Sequence, residues 1–311
     1  MVALPAMNQI SRIEADAGLE TAVACKSCGG NQHRFLYRKA GYNLVRCESC
    51  ALAFIANPPD SDGISSLYST TDGYHTGLVT PGDRDWKRMQ AIAERHLRVL
   101  TRTIPEGKGR KLLDMGCSSG QFLNLARNAG YDVQGLELSP HSSQFARDHF
   151  GLSVHTGLLD SAGFEPASFD IITLFDVIEH VPDPMAELQA IYSLLKPGGV
   201  LLQSTPNIDG LFPKLSYAAS DLFDYWQHPE PPHHLYQFSV QSLSDMTAKA
   251  GFKPGRVDQF RIDLSYSFGT MADWKSSKML FPYAMLFAPI SIIGSWIGMG
   301  DWFYLAARKP G

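Results

Sequence analysis

LLDMGCSSGQFL, residues 112–123, reads as a buried strand that runs into a turn of small residues and then into a helix. Around it, from about residue 110 onward, short apolar strands alternate with helical segments, as in FDIITLFDV (169–177) followed by AELQAIYSLLK (186–196). Such alternation is typical of βαβ units, whose strands are parallel. The sequence therefore predicts an α/β fold with a doubly wound, mostly parallel sheet, completed by the strands VDQFRIDLSY (257–266) and DWFYLAARK (301–309).

The turn after the first strand indicates a ligand site. Asp114 ends the strand, Gly116 and Gly120 let the backbone approach a ligand, and the helix that follows offers free N–H groups with a partial positive charge. Glu137 ends the next strand, where a doubly wound sheet places its carboxylate beside the turn and within reach of two ribose hydroxyls. The pattern predicts a site for an adenosine-containing ligand.

Four segments carry a resemblance to a known family: LLDMGCSSGQFL, LELSP (136–140), FDIITLFDVIEHVPDP (169–184) and LKPGG (195–199). In order and spacing they resemble the Rossmann-like methyltransferases that depend on S-adenosyl-L-methionine (SAM), over about residues 85–311. The resemblance implies SAM as cofactor, with its methionine part at Asp114, Gly116 and Gly120 and its ribose at Glu137. It further implies the adenine edge at Leu158 and Leu159, and the sulfonium near Phe175 and Asp176. Ser118 stands where the family usually has glycine.

Two Cys-x-x-Cys pairs near the N-terminus predict a metal site. Cys25 and Cys28 form the first pair, and Cys47 and Cys50 the second, with the separation expected of structural zinc modules. Four thiolates surround Zn²⁺ tetrahedrally and leave no open position, so we expect the metal to stabilise structure. The segment also resembles the N-terminal zinc modules of methyltransferases that C-methylate nucleotide-linked deoxysugars.

The strongest candidate for a catalytic base is His234, in HPEPPHHLYQFS (228–239). Histidine accepts protons near neutral pH, and this loop follows a strand whose carboxyl end borders the substrate region. The passage resembles the Glu-His-x-x-Tyr-Phe element of the sugar C-methyltransferases, which implies His234 as base and Tyr236 as its neighbour. His233 replaces the acidic residue of that element. The alternative is that His234 only fastens the loop by hydrogen bonds.

A second candidate is His180, in Asp176-Val-Ile-Glu179-His180. This element resembles the Glu-x-x-Glu-His motif of ubiquinone-pathway O-methyltransferases, which implies a divalent cation held by Asp176, Glu179 and His180 near a catechol. Carboxylate and imidazole groups suit a hard cation. The alternative is a Glu-His pair that holds no metal.

These signals divide the chain into a leader (1–20), a zinc-binding module (21–60), a linker and helix covering the cofactor site (61–105), and a SAM-dependent methyltransferase domain (106–311). That domain has insertions at 208–238, an aromatic lid, and at 270–300. Residues 279–300 carry no charge. Because Pro282, Pro289 and Gly294 interrupt them and strands flank them, we expect a helical hairpin, packed on the core or on a membrane surface.

Composition narrows the choice of function. The net charge of −4 gives no support to a nucleic-acid substrate, and the N-terminus lacks the pattern of a signal peptide, so we expect a cytoplasmic protein. The leading hypothesis is C-methylation of a nucleotide-linked keto-sugar, in natural product or glycan biosynthesis. The alternatives are O-methylation of a sugar, polyketide or lipid-linked hydroxyl, a zinc-ribbon modifier of nucleic acid, and a non-catalytic SAM-binding partner protein.

Overall fold

The fold is that of a computed structural model, which describes residues 10–11, 23–60, 63, 82, 84–223, 226, 230–261, 263–264, 268 and 280–311. The strands are β1 Ile10–Ser11, β2 His33–Lys39, β3 Tyr42–Cys47, β4 Ala53–Ile55, β5 Lys111–Met115, β6 Asp132–Glu137, β7 Val154–Thr156, β8 Phe169–Phe175, β9 Leu195–Pro206, β10 Tyr236–Gln237, β11 Lys253–Phe260 and β12 Trp302–Arg308. The α-helices are α1 Arg84–Thr103, α2 Gln121–Asn128, α3 Pro140–Phe150, α4 Pro184–Leu194, α5 Leu211–Ala218, α6 Ser220–Phe223, α7 Val240–Lys249 and α8 Leu280–Trp296.

A seven-stranded sheet with the order β11-β12-β9-β8-β5-β6-β7 forms the centre of the molecule. Strands β5 to β9 pair in parallel, and β12 pairs antiparallel with both β9 and β11. Strand β5 has β6 as its neighbour on one side and β8 on the other, so the strand order reverses at β5. Such a reversal creates a crevice at the carboxyl ends of the strands. The predicted doubly wound, mostly parallel α/β fold is confirmed.

Local signals fix where the helices begin. Ser139 accepts a hydrogen bond from the Ser142 N–H at the start of α3, and Asp183 does the same for the Ala186 N–H at α4. In each case proline follows the cap, at a position whose missing N–H costs no helical hydrogen bond. The starts of α3 and α4 are therefore set by short-range chemistry.

The N-terminal segment forms a second sheet, with the order β1-β2-β3-β4-β10. Its last strand comes from the lid: Tyr236 pairs with Phe54, and Gln237 with Ala53. The buried side chains of this segment join the core of the large sheet, where Val45 and Phe54 belong to the same apolar cluster as Leu174. The cysteine segment thus shares both a sheet and a core with the domain behind it.

In the C-terminal region one predicted strand is displaced, and only part of the predicted hairpin lies within the described residues. The strand predicted over 257–266 lies at Lys253–Phe260 and so begins four residues earlier. It can include Pro254 because it is an edge strand, and a shift of register between Pro254 and Val257 accommodates the missing N–H. The described part of the predicted hairpin is one helix, α8, with Pro289 inside it. Packing supplies the reason: Tyr283 and Phe287 are buried against Phe212, and this contact outweighs the lost hydrogen bond. The rest of the predicted hairpin, 270–279, and most of the linker lie outside the described residues.

The opposite face of α8 is apolar and exposed. The side chains of Met285, Trp296 and Ile297 are 62%, 79% and 59% exposed. Gly294 faces the core, where an added Cβ would lie 2.7 Å from the Met299 carbonyl oxygen, so glycine permits a close approach here and does not end the helix. Among the described residues, no helix combines the length and apolar character needed to cross a membrane.

Candidate active site

The turn between β5 and α2 brings three left-handed residues together. Gly116, Ser118 and Gly120 have φ values of +75°, +49° and +82°. Side chains at the two glycines would collide with their surroundings: a Cβ at Gly116 would lie 2.4 Å from Val177, and one at Gly120 would lie 2.7 Å from Leu152. Ser118 adopts the same region at a cost of about 1–2 kcal/mol. The turn is therefore held in one tight shape, with the first N–H groups of α2 directed outward.

Glu137, at the end of β6, closes against this turn. Its Oε2 accepts a hydrogen bond from the Ser118 N–H and its Oε1 accepts one from the Ser139 N–H, each at 2.8 Å. Burial raises the pKa of the carboxyl, and the backbone N–H groups oppose that shift. Each oxygen has a second lone pair. The carboxylate is thus fixed in position and can accept two further hydrogen bonds, the number that a ribose diol offers.

Asp114, at the end of β5, is 4% exposed and accepts a 2.6 Å hydrogen bond from the Thr173 hydroxyl. Burial raises its pKa to about 7, the Thr173 bond opposes the rise, and the nearby Glu137 carboxylate adds to it. An approaching cation would reverse part of this shift, because it stabilises the charged form. Asp114 therefore suits a ligand that carries an ammonium or sulfonium group.

The side of the crevice next to β7 is apolar. Leu158 is 66% exposed, and Leu159 packs partly against the main core. On the other side, Phe175 stacks on the His96 ring with centroids 4.0 Å apart. The Phe175 ring thus packs against α1, which carries His96.

Asp176 follows Phe175 with a left-handed backbone, φ +54°. Its Oδ1 accepts hydrogen bonds from the Ser204 hydroxyl at 2.8 Å and from the Trp302 indole N–H at 2.7 Å. Burial raises the pKa of this carboxyl, and these two bonds lower it. The left-handed backbone and the two hydrogen bonds to Oδ1 hold the side chain at the sheet edge, and Asp176 does not join Glu179 and His180 in one group of ligand atoms.

Glu179, His180 and His234 converge instead. One ligand atom from each lies within 4.8 Å of the others, and the two imidazole rings are 4.7 Å apart. Glu179 is 1% exposed, and the Thr205 hydroxyl is the neighbouring side-chain donor that stabilises its carboxylate. The structure therefore brings Glu179 and His180 of the expected set together with His234, and Asp176 is not part of this group.

The electrostatics of this cluster favour neutral groups. Burial raises the pKa of Glu179 well above its usual value, and the charge of Asp176 adds to the effect. Burial also lowers the pKa of His180 well below its usual value, as does the neighbouring His234. His180 Nδ1 lies 2.8 Å from the His233 carbonyl oxygen, which can only accept. Nδ1 therefore carries the proton, and Nε2 is the nitrogen able to receive one.

Backbone hydrogen bonds bring His234 to this position. The N–H groups of Leu235 and Tyr236 both donate to the Glu179 carbonyl, at 2.9 and 3.1 Å, and the Leu235 carbonyl accepts from the Ile55 N–H. The Tyr236 hydroxyl donates to the Pro182 carbonyl at 2.9 Å, and burial raises its pKa. Tyr236 thus fastens the lid to the loop after β8, and its hydroxyl is occupied there.

The four module cysteines also come together, and every pair of sulfur atoms lies within 4.8 Å. Cys25 Sγ is 3.5 Å from Cys50 Sγ, and Cys28 Sγ is 3.5 Å from Cys47 Sγ. A tetrahedral site with Zn–S bonds of about 2.3 Å requires sulfur atoms about 3.8 Å apart. The residues present therefore fit a four-thiolate zinc site.

Several residues around the site could not be predicted from the sequence. His96 reads as one apolar position of a helix, yet its Nδ1 is 2.7 Å from the Tyr304 hydroxyl, and burial lowers its pKa to about 3. Ser204 and Trp302, which orient Asp176, come from strands far from it in sequence. Residues of this kind have no local pattern, and only the order of the strands brings them together.

Comparison with known proteins assigns the family. A family model described as a methyltransferase domain matches residues 86–255, more than half of the chain. A ubiquinone biosynthesis O-methyltransferase of Xanthomonas campestris is 39% identical over 105 residues, which cover 32% of this chain and 44% of that protein. The corresponding Bordetella pertussis protein is 32% identical over 131 residues, covering 40% and 54%. The chain therefore spans about half the length of the curated relatives it matches.

Solved structures agree on the fold. A putative sarcosine dimethylglycine methyltransferase from Galdieria sulphuraria superposes with a TM-score of 0.51 at 18% identity, over 80% of this chain and 99% of that one. A putative methyltransferase in complex with the Haloferax volcanii Trm112 activator gives a TM-score of 0.52 at 19% identity, over 78% of this chain and 100% of that one. With its parallel sheet, glycine turn and acidic strand end, the chain belongs to the methyltransferase domain family of Rossmann-like, SAM-dependent enzymes.

Proposed function

We propose that the protein transfers the methyl group of SAM to a hydroxyl oxygen of a small molecule, and that the pair His180 and His234 removes the hydroxyl proton. The convergence of Glu179, His180 and His234 carries this proposal. Methyl transfer from a sulfonium needs an aligned nucleophile and a nearby base. The ubiquinone biosynthesis O-methyltransferases that match part of the chain support oxygen as the acceptor atom.

In this proposal the turn after β5 and the end of β6 bind the cofactor. Asp114, Gly116 and Gly120 surround its methionine part, and Glu137 accepts hydrogen bonds from its ribose hydroxyls. Leu158 and Leu159 cover the adenine, whose apolar face would account for the exposure of Leu158. Phe175 and Asp176 lie on the sulfonium side.

The neutral state of the histidine pair supports its role as base. His180 carries its proton on Nδ1, so that Nε2 can take the proton of the acceptor hydroxyl as the oxygen attacks the methyl group. The nearby Glu179 carboxyl can then stabilise the imidazolium. The ring of His234, whose centroid lies 4.7 Å from that of His180, either relays the proton or takes it in the place of His180.

Turnover of single variants tests the pair. We expect His180→Asn and His234→Asn each to lower methyl transfer on the order of 10²-fold or more, with unchanged affinity for S-adenosylhomocysteine. His155→Asn, a partly exposed histidine that bonds Ser161, is the matched control. If both site variants turn over at the rate of the unaltered protein, the pair is not the base.

A divalent cation is the second candidate role for the same cluster. Three possible ligands within 4.8 Å of one another, one of them a buried carboxylate, favour it. Such a cation would bind the acceptor oxygen and lower the pKa of its hydroxyl. Activity that falls on chelation and returns with added Mg²⁺ or Zn²⁺ supports the cation, provided that the four-cysteine site keeps its own metal.

Carbon remains the alternative acceptor. The cysteine module and the lid share one sheet, an arrangement that agrees with the resemblance to sugar C-methyltransferases noted above. In that reaction the base removes the proton next to a ketone of a nucleotide-linked sugar, and the enolate carbon attacks the methyl group. Carbon NMR of the product made from SAM with a labelled methyl group separates the two reactions, because O-methyl and C-methyl carbons resonate in different regions.

We also propose that the four cysteines bind structural zinc, and we keep peripheral membrane contact as a prediction for α8. Exposed apolar and aromatic side chains such as Met285 and Trp296 suit the lipid–water interface. Co-flotation of the full chain with phosphatidylcholine vesicles, lost on Trp296→Gln, would support membrane contact. A chain that stays entirely with the aqueous fraction would exclude it.

A further inference from the structure

An open groove with a volume of about 160 Å³ lies between the cysteine-module sheet and α5, outside the site described above. Its polar lining consists of Arg34 on β2, Arg46 on β3, Lys214 on α5 and Asp209, which follows β9. Tyr217 and Trp226 supply two aromatic walls. The groove is therefore positively charged and partly aromatic, in a chain whose net charge is −4.

The arrangement of the arginines is costly without an anion. Arg34 and Arg46 are directly opposite each other on adjacent antiparallel strands, so their side chains lie on the same face. Like charges in such a cross-strand pair destabilise a sheet. A bound anion between the two guanidinium groups would turn this repulsion into two favourable ion pairs.

The protein itself neutralises only part of this charge. Asp209 Oδ1 lies 3.3 Å from Arg46 Nη2 and 3.9 Å from Lys214 Nζ, and it is the one carboxylate among the described residues that lines the groove. The Arg46 Nε is buried there and, in the part of the chain that the structure describes, donates to no acceptor. The groove thus retains two excess positive charges and an unused donor, which is the chemistry that a phosphate requires.

The groove is built from the lid that carries the histidine. Ile208 to Trp226 precede His234 in that segment, and the Trp226 ring contacts Tyr37, which also lies beside His234. We propose that the groove binds the phosphate or diphosphate group of the methyl acceptor, with its neighbouring apolar or aromatic part against Tyr217 and Trp226. This inference rests on the proposed function, because it treats the groove as the outer part of the acceptor site.

Binding measurements on the full chain test the proposal. The soluble probes are inorganic pyrophosphate and uridine diphosphate, measured by calorimetry, and the lipid probe is a phosphatidylglycerol vesicle, measured by sedimentation. We expect Arg34→Gln and Lys214→Gln each to weaken binding about tenfold, since each removes a charge-assisted contact, and added salt to weaken it further. Arg38→Gln, an exposed arginine on the same strand but outside the groove, should bind like the unaltered protein.

The outcomes separate the possible sources of the phosphate. Binding of the soluble probes that both groove variants weaken supports a soluble phosphorylated acceptor. Vesicle binding alone, weakened in the same way, supports a lipid-linked one. The proposal is overturned if no probe binds, or if Arg38→Gln weakens binding as much as the groove variants. S-adenosylhomocysteine affinity and methyl transfer, measured on the same samples, show whether the proposed function stands independently of the groove.

Discussion

The change Glu137→Gln tests the cofactor site most directly. In the structure each carboxylate oxygen accepts one backbone N–H, from Ser118 and from Ser139. A glutamine offers one oxygen and one NH₂ group, so in either orientation one backbone N–H faces a donor and loses its acceptor. An unsatisfied buried group of this kind costs about 1–3 kcal/mol, and we expect the free energy of unfolding of the SAM-free protein to fall by that amount.

Cofactor affinity should fall as well. The same substitution removes one of the two charge-assisted hydrogen bonds proposed for the ribose, worth about 1.5–3 kcal/mol, which corresponds to roughly ten- to hundredfold weaker binding. Calorimetry with S-adenosylhomocysteine measures the affinity, and urea unfolding measures the stability. Asp132→Asn makes the same chemical change at the exposed start of β6 and should alter neither. An unchanged dissociation constant for Glu137→Gln would refute the assignment of this carboxylate to the ribose.

Three further predictions follow from the site and the module. Ser118→Gly should raise the free energy of unfolding by up to about 1 kcal/mol, because glycine adopts the left-handed backbone without strain. Urea unfolding measures this change, and a loss of stability would contradict the prediction. The pKa of Asp114 is about 7 in the folded protein and near 3.8 in a free carboxyl. Between these two pH values the folded state binds more protons than the unfolded state, so the free energy of unfolding falls as the pH rises from 4 to 7. Asp114→Asn should make this slope shallower in unfolding experiments done without SAM, while the raised pKa values of Glu137, Asp176 and Glu179 maintain the remainder. An identical slope would disprove the contribution of Asp114. The purified chain should contain about one zinc ion per molecule. Removal of the zinc should speed hydrogen exchange at Tyr236 and Gln237, which pair with β4 of the cysteine module, but not in β5. Equal protection with and without metal would argue against a structural role.

The sequence predicts most of the cofactor site because that site is local. A strand, a tight turn and a helix follow one another within LLDMGCSSGQFL, and parallel pairing of β5 with β6 places the end of one beside the end of the other. Glu137 therefore lies beside the turn by geometry that any doubly wound sheet shares. The close contacts at Gly116 and Gly120 agree with the need for small residues there.

The acceptor side is less predictable, because it depends on contacts between distant segments. β10 has two residues and no periodic pattern, and its pairing with β4 joins positions about 180 residues apart. This pairing, together with the hydrogen bonds of Leu235 and Tyr236 to the Glu179 carbonyl, brings His234 to His180. The helix α8 shows a second limit: a proline within a helix costs about 3 kcal/mol in isolation, and buried aromatic packing compensates for it here.

The pairing of β10 with β4 has a practical consequence for dissecting this protein. The family match begins at residue 86, an obvious position at which to shorten the chain. A chain shortened to that point would lose β4, and the backbone of Tyr236 and Gln237 would become an uncovered edge, open to pairing with other molecules. Shortened versions should therefore self-associate and lose the ordered acceptor side, even where their cofactor half folds well.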